Sequence, residues 1–280
     1  MENVANTDQV TPTKEEKKPG SHEWWERFLP FIGIAAFLLI WQIAVTVLDV
    51  PTYLLPKPTQ IVETMIDKFS SLMRHTWITG YEMILGYIMA IVIGIPLAVA
   101  ITSYHRFDRF ITPILLFFQT VPKIAVAPLF LVWFGFGPFP KVLVAFLISF
   151  FPIVMDTSIG LRSISTEMID LARSMGATKL QLFMRFRFPT SLPYVFSGLK
   201  VAATLAVVGA VVGEFVGADK GLGYLLLVSN SNLDTPLLFA AIVCLTALGL
   251  ILFYVIEVLE HLFIPWHVSR RGNDGSHATM

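Results

Sequence analysis

The chain has 280 residues, 55% of them hydrophobic and 14% charged, with a mean hydropathy of +0.70. A soluble domain is about a quarter charged, so this composition excludes a soluble globular protein and points to an all-α polytopic membrane protein. Lys plus Arg equals Asp plus Glu at 20 each, so net charge names no partner, and the single cysteine, Cys244, excludes an intrachain disulfide.

Residues 1–27 are polar and carry Lys14, Lys17, Lys18 and Arg27, as expected of a flexible tail, with Trp24 and Trp25 as interfacial anchors. Residues 28–48 are free of charge and long enough for a first span. Three prolines, Pro51, Pro56 and Pro58, precede an amphipathic segment, Thr59–Leu72, that predicts an interfacial helix. A second span is expected over Met83–Tyr104, starting near Trp77, followed by a basic turn at Ser103–Phe110. A third runs from about Ile111 to Phe134, interrupted by Pro122, Lys123 and Pro128, and Gly135–Pro140 is a turn. The fourth covers Lys141 to about Thr157. The fifth covers Ser191–Val216. After a loop with a short helix near Tyr224–Val228, the sixth covers Pro236–Ile256, extended to about Phe263. The expected organisation is thus a tail to residue 27, six transmembrane helices over residues 28–264, and a second tail over residues 265–280.

Six spans put both termini on one side. The tails, the 103–110 turn and the 158–189 loop carry thirteen Lys and Arg, and the opposite side carries five: Lys57, Lys68, Arg74, Lys141 and Lys220. The positive-inside rule therefore puts the termini and the 158–189 loop in the cytosol.

That loop holds the most informative stretch, Glu167–Pro189. Ser165 or Thr166 can cap a helix whose first turn carries Glu167 and Asp170 against the helix dipole. Gly176 can end it in the left-handed conformation, and Thr178 can cap a second short helix that Pro189 stops. Met168, Leu171, Ala172 and Met175 share one face of the first helix. The stretch is either a solvated interfacial hairpin or one built to touch a cytosolic partner.

No catalytic constellation, phosphate-binding loop of the G-x-x-x-x-G-K-[ST] kind or metal-ligand spacing is present, so the chain holds no nucleotide by such a loop and is not expected to be an enzyme. Gln119, Thr120 and Lys123 flank the proline break in span three. They either line a solute path or belong to a packing kink from which Lys123 snorkels. Gly209, Gly213 and Gly217, four residues apart, form a ridge for close helix packing, within the chain or across a dimer. Glu82 and Glu214, near the outer ends of spans two and five, are either path or gate groups or solvated at the headgroups. Lys200 snorkels to the cytosolic surface.

The hairpin resembles the loop E-A-A-x3-G-x9-I-x-L-P of integral membrane subunits of bacterial ABC importers. Here Asp170-Leu171-Ala172 is followed after three residues by Gly176 and, after nine more, by Phe186-Arg187-Phe188-Pro189. Ala172, Gly176 and Pro189 match; Asp170, Leu171, Phe186 and Phe188 keep charge or apolarity. Further matching pieces are Leu55-Pro56-Lys57-Pro58, Val121-Pro122 through Trp133-Phe134-Gly135-Phe136-Gly137, Gly213-Glu214-Phe215 with Gly221-Leu222-Gly223-Tyr224, and Pro265-Trp266-His267. Together they resemble the nitrate/sulfonate/taurine-type permease group. Gln119-Thr120-Val121-Pro122, without the Arg of many sulfonate and taurine permeases, is more similar to the branch for the pyrimidine precursor of thiamine and for riboflavin.

The resemblance implies a type I ABC importer transmembrane fold in the bacterial inner membrane. It implies a homodimer, a cytosolic ATPase subunit holding ATP and Mg, and an extracytoplasmic solute-binding protein. This chain would bind no cofactor and no nucleic acid. The docking contact would comprise Asp170, Leu171, Ala172, Arg173, Gly176, Ala177 and Pro189. Alternatives are a sulfonate, taurine or nitrate importer, a secondary transporter, which needs titratable groups at mid-membrane, and an energy-coupling subunit, which carries two Ala-Arg-Gly-type segments.

Overall fold

A computed structural model describes residues 23–265, so residues 1–22 and 266–280 of the expected tails, Trp266-His267 among them, lie outside the described residues. Among the described residues the secondary structure is helical throughout. The chain divides into a unit ending at Val50 and a larger one from Pro51. The first is one helix, α1 (Glu23–Val47), whose residues from Phe28 onward are nearly all apolar and exposed, as a lipid-facing span requires.

The second unit starts with α2 (Pro58–Asp67), which Gln60 caps by accepting from the Lys57 N–H at 3.0 Å. Only Lys68 separates α2 from α3 (Phe69–Ser103), a continuous helix of 35 residues. The expected start of the second span near Trp77 is therefore corrected: Arg74 and His75 lie within the helix, whose outer turns extend past the apolar run. Tyr104 alone breaks the chain before α4 (His105–Thr120), so the expected basic turn is already helix. It is fastened by Asp108, which accepts from Thr112 and pairs with Arg162 at 2.8 Å.

Val121 and Pro122 then turn the chain by 94° into α5 (Lys123–Phe134). Pro122 withholds an N–H from the helix ladder, and the residue before a proline is pushed out of the helical region, here to ψ 129° at Val121. The third span is thus two helices. Among the described residues five helices are long and apolar enough to cross a membrane, six with the bent pair taken as one.

The core is built on α6 (Pro138–Arg162), which lies between α3 and α9 (Phe188–Gly217). Without a hydrophobic drive between helices in lipid, close approach decides packing, and small residues provide it. A β-carbon on Gly86 of α3 would sit 2.6 Å from the Ala145 β-carbon, and one on Gly209 of α9 would sit 2.6 Å from the Ala145 α-carbon. Ala145 is therefore clasped from both sides. Ala90, Ala98, Ala202, Ala206 and Ala210 are likewise fully buried, and the Tyr87 hydroxyl donates to the Leu199 carbonyl at 2.9 Å. Between α6 and α9 lie α7 (Thr166–Ser174), α8 (Lys179–Leu182) and a π turn, Phe183–Arg187. After α9 come α10 (Leu222–Ser231) and α11 (Thr235–Phe263), which holds Cys244 half-buried.

Candidate functional site

The hairpin forms from local chemistry. Ser165 Oγ accepts from the Met168 N–H at 3.4 Å at the start of α7. At its end Gly176 takes φ +78°, its N–H donates to the Arg173 carbonyl at 2.9 Å, and the Ala177 N–H donates to the Ala172 carbonyl at 3.0 Å. This pair of bonds is the Schellman closure of a helix, and it needs the left-handed residue that glycine supplies without strain. Thr178 then accepts from the Gln181 N–H at 3.3 Å while its own N–H donates to Gln181 Oε1 at 2.9 Å, a reciprocal cap. Glu167 accepts from its own backbone N–H and from the Ser165 hydroxyl, which hold its carboxyl below the usual range.

Two expectations change here. Pro189 does not stop the second helix: α8 runs through the π turn into α9, and Pro189 falls just after the shift that the π turn puts into the hydrogen-bond ladder. The expected apolar face of α7 splits. Ala172 is buried beneath the hairpin, whereas Met168, Leu171 and Met175, with Leu180 and Met184 after the turn, are exposed. The Asp170–Arg173 pair, at 3.7 Å and exposed, contributes little.

A second group lies at the other end of the α3–α6–α9 core. Glu82 and Glu214 are each 1% exposed, which removes the headgroup-solvated alternative. Glu82 pairs with Lys141 at 3.0 Å. Glu214 accepts from the Thr79 hydroxyl at 2.6 Å and from the Gly223 N–H, on the N-terminus of α10. The Leu222 N–H donates to Thr79 at 2.8 Å and the Gly221 N–H to His75 Nδ1 at 3.0 Å. Any β-carbon at Gly221 or Gly223 would strike the Glu214 carboxylate, which accounts for Gly221-Leu222-Gly223 following Glu214. Glu82 and Lys141 line a cavity of about 740 Å³ with Phe136, Gly137 and the 217–220 loop.

At the α4–α5 bend, Lys123 does not snorkel. Its ammonium donates to the Gln119 carbonyl at 3.0 Å, closing the end of α4, and sits 4.9 Å from the centre of the Phe151 ring of α6. Gln119 and Thr120 are exposed beside it, and Thr120 donates to the Phe117 carbonyl. Lys200 is not a snorkelling side chain either; it pairs with Glu260 of α11 and lies 3.8 Å from Glu257. The glycine ridge packs within the chain: Gly209 on Ala145, Gly213 on Lys141 and Gly217 on the Leu131 side chain. Sequence reasoning missed Lys141, Thr79 and His75, because their partners lie tens of residues away and no spacing announces them. It also missed Asp156, a carboxylate of α6 against Gly198 of α9 with no ion pair among the described residues. Among the same residues no group of three or more metal-ligating side chains occurs.

Comparison of the chain with known proteins decides its family. The family model for the binding-protein-dependent transport system inner membrane component matches residues 90–264. The chain belongs to that family. This permease is similar to the formylaminopyrimidine transport permease protein ThiX of Halalkalibacterium halodurans, 40% identical over 238 residues, 85% of this chain and 95% of that one. It is also similar to the riboflavin transport system permease protein RibX of Chloroflexus aurantiacus, 36% identical over 249 residues, 88% of this chain and 92% of that one. Among solved structures, the inward-facing MetNI methionine ABC transporter aligns with a TM-score of 0.62 at 20% identity, over 70% of this chain and 98% of that chain. That likeness establishes the fold. The permease is a transport subunit of an ABC importer and not an enzyme.

Proposed function

We propose that this permease works as a homodimer that receives a solute from an extracytoplasmic binding protein and passes it to the cytosol, driven by a partner ATPase that holds ATP and Mg. The permease itself binds no cofactor. Its termini and hairpin lie in the cytosol, in line with the thirteen-to-five bias of Lys and Arg. The observation that carries this reading is the hairpin. Both its helices are capped, its turn is fixed by Gly176, and Met168, Leu171, Met175, Leu180 and Met184 stand exposed around it. Methionines and leucines so displayed on a rigid turn suit a groove in a partner protein.

The solute is a nitrogen heterocycle of the aminopyrimidine or riboflavin kind. The support is the 40% and 36% identity to permeases named for such solutes, over nearly their whole length. Gln119, Thr120 and Lys123 at the α4–α5 bend border its path, because freed backbone groups and an ammonium at that depth need a wet surface.

The test is Gly176→Val. Open space surrounds the position, so a side chain there acts through φ alone. A β-branched residue in the left-handed region costs at least about 1–2 kcal/mol, and the turn relaxes by changing the angle between α7 and α8. The expected outcome is normal membrane abundance, weakened association with the ATPase subunit and loss of ATP-driven uptake in proteoliposomes. Full association and uptake would refute the docking role of the turn.

A further inference from the structure

Two cavities meet where the end of α3 faces the hairpin. One, of about 550 Å³, is an apolar groove between Ile95, Pro96 and Val99 of α3 and Phe183, Met184 and Phe188. The other, of about 540 Å³, is lined by Arg173, Lys179 and Arg187. Val99, Ser103, Tyr104 and Phe183 belong to both walls, so groove and basic pocket are continuous.

The three cations come from three elements: the last turn of α7, the first residue of α8 and the π turn. Like charges converging on one pocket repel, and only Arg173 has a carboxylate nearby, the exposed Asp170 at 3.7 Å. Lys179 and Arg187 make no ion pair among the described residues, and Arg187 Nε is buried with no hydrogen-bond partner. Three cations around one pocket, with a single exposed carboxylate among them, favour an anion with several acceptor oxygens there. An acidic side chain of a protein partner would satisfy the basic end but leave the groove bare. An amphiphile satisfies both.

We propose that this composite pocket binds an anionic phospholipid, with its phosphodiester among Arg173, Lys179 and Arg187 and one acyl chain along the groove between α3 and the π turn. The position fits, because α3 ends at Ser103, where a long apolar helix gives way to charged residues, and basic pockets between membrane helices select anionic headgroups. A phosphate held there ties α7, α8 and the π turn together and braces the Gly176 turn from the membrane side. The proposal depends on the chain spanning a bilayer and not on the solute or the ATPase.

The full-length permease, purified in detergent and delipidated, is titrated with dioleoylphosphatidylglycerol, dioleoylphosphatidylcholine and glycerol 3-phosphate. Thermal unfolding and native mass spectrometry are the readouts. Phosphatidylglycerol is expected to raise the melting temperature and to remain bound at one molecule per protomer; the other two are expected to do neither. Lys179→Ala with Arg187→Ala should lose both effects. Ser103→Trp, which keeps all three cations but fills the junction of groove and pocket, should lose them too, and it decides the matter if the double variant does not fold. Undiminished phosphatidylglycerol binding in Ser103→Trp, or an equal effect of phosphatidylcholine or glycerol 3-phosphate, would overturn the proposal. So would a double variant that keeps its lipid but no longer holds the ATPase subunit.

Discussion

Lys141 carries its charge into the helix core. Its side chain is 8% exposed, and the side chain of its partner Glu82, 3.0 Å away, is 2% exposed. Such a pair is poor evidence of net stabilisation, because two desolvation costs stand against one attraction, but breaking it leaves a lone buried charge. Lys141→Met should therefore destabilise the permease by about 3–5 kcal/mol, while Lys141→Met with Glu82→Leu should recover much of that loss. Melting temperatures of the four proteins in one detergent form the cycle that checks it. Additive losses would mean that the two side chains act independently. The sequence made Glu82 a candidate on the rule that charge in a span has a function, yet counted Lys141, the first residue of the fourth span, only among the charges of the outer side. The rule judges each charge alone, and nothing in the sequence joins two residues that stand 59 positions apart. The cap residues are the contrary case. Ser165, Gly176 and Thr178 act on backbone groups within three or four positions, so their roles are legible in the sequence.

At the scale of elements, the ridge of α9 decides how near α6 can come. A β-carbon on Gly213 would lie 2.8 Å from the Lys141 α-carbon, and one on Gly209 2.6 Å from that of Ala145; both neighbours are backbone and cannot yield. At Gly217 the neighbours are the ends of the Leu131 side chain, at 3.0 Å, which can rotate away. Overpacking a close contact costs about 1–3 kcal/mol for the first added carbons, and more when backbones must part. Gly209→Leu and Gly213→Leu should therefore lower the melting temperature or membrane abundance sharply, Gly217→Leu less so, and Gly33→Leu, which meets nothing within 4 Å, not at all. Equal effects at all four positions would sink the packing role. The four-residue spacing revealed the ridge, but not whether its partner was within the chain or across a dimer. Helix ends were less legible. Pro189 reads as a stop because a proline interrupts an α-helix, but the π turn before it already shifts the hydrogen-bond ladder, so the helix passes through. The unbroken 35-residue α3 was hidden by Arg74 and His75, polar residues on a helix that continues past the apolar core.

For the whole molecule the decisive feature is the parity of crossings, and it hangs on the bend at Val121 and Pro122. If α4 and α5 together traverse the bilayer, the chain crosses six times and both ends share a side; if they dip in and return, it crosses five times and the ends part. The 94° turn permits either path, and neither helix alone, of 16 and 12 residues, spans about 30 Å of hydrocarbon at 1.5 Å per residue. Charge separates the alternatives. His105, Arg106 and Arg109 start α4, whereas the Gly135–Gly137 turn after α5 is free of charge and rich in aromatics, as expected of the opposite interface. The traversing arrangement also gives Lys123 a role at mid-depth, where it closes α4 and rests on Phe151 without reaching for a headgroup. In a Cys244→Ser background, single cysteines at Ser103 and at Gly137 should react with a membrane-impermeant thiol reagent from opposite faces, Gly137 in intact cells and Ser103 only after the membrane is opened. A reporter fused after Ser269 should be active only inside the cytosol. Labelling of both cysteines from one face would mean a re-entrant pair and five crossings. With the hairpin still cytosolic, the C-terminus would remain there, because only two crossings follow the hairpin, and the N-terminus alone would change sides.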